Sequence, residues 1–339
     1  MSRLRHIWWK RASFIAASAL MLVVLIKMNG NISSFMKHVK EQDAVYAFFQ
    51  VNRSEEEKTL LLKQIKEEAE KLKIEPINAR IDRVYKAVPG YNGLEVDIEA
   101  TYELNVNAVR GAQLRYIYRE VEPAIQLEDL GSYPIYKGNP EKRAVGLMIN
   151  VAWGNEYLDS ILNTLKDADV KATFFFDGSW LKKNKELAQR IAEEGHELSN
   201  HAYSHPDMAN LSHFEQTQQI VKTEALLKEM NASNKWFAPP SGSFNATTVK
   251  AAREHGLLTV LWTIDTIDWR NPSPEQVMTR IRSKLEPGAL ILMHPTAATE
   301  KTLPMMIQYM KEQGYFPGTV SHTLSSDRLQ DGVEGVDIF

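Results

Sequence analysis

The sequence predicts an α/β protein, a parallel sheet with crossover helices that is either open or closed into a barrel, preceded by a membrane anchor and a small α+β segment. Two observations carry the main part. From Arg143 onward, short apolar segments (144–150, 172–177, 237–239, 258–263 and 289–294) alternate with stretches that carry one apolar stripe at helical spacing (156–166, 183–194, 214–230, 246–255, 274–285 and 300–313). Apolar strands buried on both faces need helices on both sides, which is what such alternation supplies. The third observation is a basic cluster followed by an apolar run at the amino end.

Arg3, Arg5, Lys10 and Arg11 precede the uncharged run 12–26, which Lys27 closes. That order reads as a positive end held inside and the remainder exported. At about 1.5 Å per residue the run is about 22 Å long against a hydrocarbon core of about 30 Å, so spanning requires snorkelling by Arg11 and Lys27. Trp8 and Trp9 then sit at headgroup level. The rival reading is a cleaved signal peptide, but the small-x-small tripeptide Ala17-Ser18-Ala19 lies inside the apolar run, not after it. Either way residues 28–339 lie outside the membrane, anchored in the first case and secreted in the second. Lys plus Arg total 40 and Asp plus Glu 43 in 339 residues, a net charge of −3, which argues against nucleic acid as a partner. Having no cysteine, the chain has no disulfides, no thiolate zinc sites and no thiol catalysis.

Residues 28–76 are expected to form a stalk. Ser54 and Glu57 make a capping-box signature, Leu60, Leu61, Ile65, Ala69 and Leu72 form one apolar stripe, and Pro76 ends the helix. Residues 77–122 read as a small α+β unit: a strand over 81–88, a turn at 89–93, alternation of Leu94, Val96 and Ile98 with Glu95, Asp97 and Glu99, a helix over 102–110 and a strand over 116–121. With Gly131, Pro134, Gly138 and Pro140, residues 123–142 read as a linker, residues 143–325 as the main domain and 326–339 as a tail.

In parallel α/β folds reactive groups gather at the carboxyl ends of strands. Asn150 ends one strand and is followed by Val151, Trp153, Gly154 and Glu156; Asp177 ends the next. The segment after Gly195 holds His196, His201 and His205, and later strands hand over to Pro239 and Pro240, to Asp268 and Trp269, and to Leu292 and His294. Three histidines and several carboxylates are thus expected on one rim. His201 and His205 are spaced to approach one metal, His294 has a side chain whose ordinary pKa suits a general acid, and Asp268 is placed to orient a histidine ring.

The order of these elements resembles the polysaccharide deacetylase family of carbohydrate esterases, the NodB-homology domain. Gly195-His196-Glu197 through Asn200-His201-Ala202-Tyr203-Ser204-His205-Pro206 resembles its metal-histidine motif, Asp265-Thr266-Ile267-Asp268-Trp269 its DxxDW motif, and Leu292-Met293-His294 its LxH motif. Ala238-Pro239-Pro240-Ser241-Gly242 stands where the family has RPPYG, and Met148-Ile149-Asn150-Val151 where it has TFDD. The similarity covers about residues 143–325 and is nearest to the sporulation subgroup, the YlxY type.

The resemblance implies a distorted (β/α) barrel that removes acetyl groups from N-acetylated cell-wall polysaccharide with the help of a divalent metal, commonly zinc. By position it makes His201 and His205 metal ligands, His294 the acid for the leaving amine and Asp268 its partner. Trp269 and Leu292 become walls of an acetyl pocket, with Pro239 and Pro240 on the substrate side. The same carry-over puts Asn150 at the base position and Val151 at the third-ligand position. An amide has no basic site near neutral pH and an isopropyl group no oxygen, so any metal is expected to bind weakly. Two expectations remain open. Another carboxylate has taken over, with Asp177 first and Glu156 second, or the domain binds glycan or a protein partner without hydrolysing amides. Asp177 has a further reading, as the cap of the helix that follows it.

Overall fold

The computed structural model describes residues 53–329; the expected anchor at 12–26, residues 28–52 and the tail from 330 lie outside the described residues. Among the described residues no helix is long and apolar enough to cross a membrane. The chain divides into two compact units, the described part of the first comprising 53–71 and 97–117, and that of the second 72–96 and 118–329.

In the first unit, helix α1 (Glu55–Leu72) begins as its capping box dictates: Ser54 Oγ accepts from the Glu57 amide at 3.2 Å, and the Glu57 carboxylate accepts from the Ser54 amide at 2.9 Å. Leu61, Ile65 and Ala69 are buried, whereas Leu60 is exposed and does not belong to the stripe. Helix α2 (Ile98–Val106) starts four residues earlier than the sequence suggests. Asp97 does not continue a strand; its carboxylate accepts from the Ala100 amide at 2.9 Å and caps the helix.

The second unit opens with a hairpin in place of the single strand expected over 81–88. Strands β1 (Arg80–Asp82) and β2 (Lys86–Val88) pair antiparallel, because Asp82 Oδ1 accepts from the amides of both Val84 and Tyr85 and folds the chain back. Strands β3 (Gly93–Val96) and β4 (Tyr118–Val121) form a second antiparallel pair.

The main sheet has eight strands: β5 (Ala144–Val151), β6 (Thr173–Phe176), β7 (Glu197–Asn200), β8 (Trp236–Phe237), β9 (Leu258–Thr259), β10 (Ile264–Asp265), β11 (Leu290–Met293) and β12 (Phe316–Gly318). Their order is β10-β11-β5-β6-β7-β8-β9, all parallel, with β12 also paired to β5. The segment expected as one strand over 258–263 is therefore two, and they form opposite edges of the sheet. Only residues 260–263 join those edges, a reach of about 3.5 Å per residue at most, so the sheet curls until its edges face each other across a narrow seam. Residues 134–137 occupy that seam: Ile135 bridges Val260 and Lys137 bridges Ala289. The stretch that read as a linker is thus built into the barrel, with Ile135 wholly buried.

Alternation along β5 sets the layers. Val145, Leu147, Ile149 and Val151 pack in one cluster with Leu158, Ile161, Leu162 and Leu165 of helix α3 (Asn155–Asp167), while Met148 packs with Phe175, Trp236 and Leu290 inside the barrel. Each such apolar side chain taken from water contributes about 1.5–3 kcal/mol. The remaining helices, α4 (Gly178–Lys183), α5 (Lys185–Glu193), α6 (His213–Glu229), α7 (Ala246–Glu254), α8 (Pro274–Lys284), α9 (Ala297–Glu312) and α10 (Val320–Leu324), complete the unit.

Candidate active site

At the carboxyl ends of the strands lies a groove of about 540 Å³, lined among others by Asn150, His205, Trp269, Leu292 and His294. Its two sides are furnished differently.

One side is built on Asp268. Its buried carboxylate meets His294 Nδ1 at 2.8 Å, accepts from the His294 amide at 2.5 Å and accepts from Thr299 Oγ1, near the start of α9, at 2.6 Å. With Nδ1 held there, Nε2 is the ring nitrogen left to the groove. Trp153 stacks on the His294 ring, centroids 5.3 Å apart and planes within 17°. Gly154 makes this stack possible: its φ is +83°, and a Cβ there would collide with the carbonyl oxygen of Pro295. Trp269 is half exposed, under the Arg270 guanidinium at 4.6 Å, and stands as a free wall.

The other side is built on Asn150. As the last inward residue of β5 it lines the groove at 2 % exposure, and its amide oxygen is buried without a hydrogen-bond partner. Val151 faces the other way, fully buried in the helix-side apolar cluster. His201 is buried, and its Nδ1 lies 2.7 Å from the Ala238 carbonyl oxygen, so the proton is on Nδ1 and Nε2 carries the lone pair. Burial, reinforced by the neighbouring His205, pushes its pKa down to about 3. The His205 ring lies 5.3 Å from that of His201, on a loop in which Ala202 and His205 both have positive φ.

A catalytic zinc takes three protein ligands. His201 and His205 supply two, Val151 supplies none, and among the described residues no three His, Cys, Asp or Glu side chains come together as a metal site. The donor set present does not fit the full catalytic centre.

Other expected residues lie elsewhere. Asp177 caps α4: its Oδ1 accepts from the Trp180 amide at 2.9 Å and from Ser179 Oγ at 2.5 Å, while Oδ2 is buried without a partner, and the residue does not line the groove. Glu156 is exposed in the first turn of α3. Pro239 and Pro240 are buried, and Ser241 reaches the groove in their place. His196 precedes β7, at the end of the strand away from the groove, with its ring edge-on to Phe174. Sequence reasoning gave no role to Trp153, Trp262, Asp265 or Thr299. Only Gly154 beside Trp153 signalled a special turn.

The chain is similar to proteins of known family. Residues 137–260 match the model of the polysaccharide deacetylase family. An uncharacterized protein YlxY from Bacillus subtilis is 45% identical over 79% of this chain and 85% of its own length. A peptidoglycan-N-acetylglucosamine deacetylase from Bacillus cereus is 31% identical over 60% of this chain and 80% of its own. The crystal structure of a CE4 family pseudoenzyme from Bacillus anthracis superposes with a TM-score of 0.72 at 45% identity, covering 79% of this chain and 96% of that one. A mutant of the same protein, described as having restored enzymatic activity, gives 0.72 at 44% identity, covering 79% and 99%. With the parallel sheet curled into a half-barrel and the histidine pair, DxxDW and LxH elements gathered on one rim, the chain belongs to the polysaccharide deacetylase (CE4) family.

Proposed function

We propose that this chain binds N-acetylated cell-wall glycan in the groove and that its hydrolysis of acetamido groups is impaired for want of a base. The observation that carries this reading is Asn150, whose buried amide oxygen has no partner on the floor of the groove. A carboxylate there would take a proton from water; an amide cannot, but its oxygen accepts a hydrogen bond from a sugar N–H or hydroxyl. His294 Nε2 faces the same space, and Trp153, Trp269 and Leu292 provide the apolar walls that fit an acetyl methyl group. A divalent metal such as zinc would find only the two imidazoles of His201 and His205 and would be held weakly. Calorimetric titration with N-acetylglucosamine oligomers tests the reading. Binding is expected, and it should weaken in Asn150→Ala; absence of binding would reject it.

A second reading, retained hydrolysis, is favoured by Asp177, whose Oδ2 is a buried carboxylate oxygen without a partner at the end of the strand beside β5. It requires acetate release that Asp177→Asn abolishes. The basic cluster before residue 12 and the apolar run 12–26 support membrane anchorage with the domain outside. Protease added to intact cells should then remove the C-terminal domain, and protection until lysis would exclude that topology.

A further inference from the structure

Trp262 lies in the four-residue connection across the seam of the barrel and lines two clefts at once. One is the groove; the other, of about 690 Å³, is lined by Val84, Tyr85, Tyr136, Trp262, Leu285 and Glu286. The second cleft is supplied by the β1–β2 hairpin, the seam segment around Ile135 and the end of α8, so it draws on residues both inside and outside the barrel strands. Its floor is organised from beneath. Lys137 is 5 % exposed, lies 2.7 Å from Glu286 Oε1 and sits 4.7 Å from the centre of the Tyr85 ring. A buried ammonium thus fixes both a carboxylate and an aromatic ring in one orientation. The charge of Glu286, followed by burial, holds the Tyr85 hydroxyl above its ordinary pKa. Gly242 keeps Trp262 in place from the groove side: its φ is +67°, and a Cβ there would press on the indole at 3.0 Å.

We infer that this cleft is a second sugar-binding subsite, which takes the next hexosamine units of the glycan chain whose N-acetyl sugar occupies the groove. The inference rests on the glycan-binding reading of the groove. Three aromatic side chains beside one fixed carboxylate match the chemistry of a pyranose, which offers a C–H face to an aromatic ring and hydroxyl donors at its edge. Trp262 lines both clefts, so a chain that leaves the groove over the indole is directed towards the second. A short oligomer fills the groove alone; a longer one gains the tyrosine subsite.

The test is a comparison of N-acetylglucosamine disaccharide and hexasaccharide on the full-length protein, by calorimetry and by methyl resonances of Val84, which lines only the second cleft. The hexasaccharide should bind about tenfold more tightly, the usual scale for an aromatic anchor, and Tyr136→Ala should erase that difference while leaving disaccharide affinity unchanged. Val84 should shift with the hexasaccharide alone. Equal affinities, or a silent Val84 at saturating hexasaccharide, would overturn the subsite and leave the groove reading standing. Failure of both sugars to bind would overturn the two together.

Discussion

On the Asp268 side of the groove one carboxylate ties together the end of β11, the loop after β10 and the start of α9, through the His294 amide, the His294 ring and Thr299. On the Asn150 side the amide oxygen has no partner, Val151 is absorbed into apolar packing, and Ala238 offers only its backbone oxygen. The difference lies in how much of the fold each group supports. Removing Asp268 would strand three donors, two on His294 and one on Thr299, whereas Asn150 and Val151 keep β5 packed without any charge. Charges that serve only chemistry can be lost together: an arginine without its carboxylates would be a stranded cation, and Ala238 removes it. The Asp268–His294 pair also holds the structure.

The contrast can be broken most severely by Asp268→Ala, expected to cost about 3–5 kcal/mol in denaturant unfolding because it strips a buried hydrogen-bonded partner from His294. Asn150→Ala, which loses no hydrogen bond made by the amide oxygen, should cost less than about 1.5 kcal/mol. Equal costs would remove the structural explanation for the asymmetry. A smaller effect is expected from Trp153→Ala, where loss of the stack on His294 should cost about 0.5–1.5 kcal/mol beyond its buried area and weaken glycan binding. The smallest concerns a histidine on neither side. Burial, helped by the charge of Lys171, pushes His196 from 6.5 down to about 4. The unfolded chain takes up the proton near 6.5 and the folded one only near 4, so the stability held by the neutral ring is complete above pH 6.5 and is lost as the pH falls towards 4. His196→Gln keeps a side-chain acceptor for the Ala172 amide, which His196 Nδ1 meets at 3.2 Å, and removes the titration. Its stability should therefore decline less steeply over that interval; identical slopes would show that His196 does not titrate with unfolding.

Much of this was legible in the sequence where one physical signal dominated. Strand β5 is a run of apolar residues long enough to fix its place, and the Asp268–His294 pairing followed from the family motifs. Strand β7 was missed because Glu-Leu-Ser-Asn looks like a loop. Its polar side chains find partners distant in sequence, half-buried Glu197 with Thr173 and Trp236, and buried Asn200 with Glu224. The seam segment around Ile135 reads as a linker because its glycines and prolines forbid regular structure locally, although Ile135 and Lys137 there bridge the residues beside the two edges of the sheet. Asp97 continued an alternating pattern, yet its short carboxylate is a better helix cap than a strand residue. The stack of Trp153 on His294 depends on a turn at Gly154 that no periodicity reveals. Nor does the alternation of β5 become decisive until the layers are known, which is what sends Asn150 to the groove and Val151 to the helices.

The most direct test is acetate release from N-acetylglucosamine oligomers, measured side by side for the natural chain, Asn150→Asp and Asn150→Asp/Val151→Asp, each with added zinc. The account predicts no release above background from the natural chain. Asn150→Asp restores a base that faces the groove, a group worth about 10²–10⁴-fold in rate, and should give measurable release that His294→Ala removes again. Release by the natural chain that is lost in Asp177→Asn would contradict it, and would place the working base on Asp177.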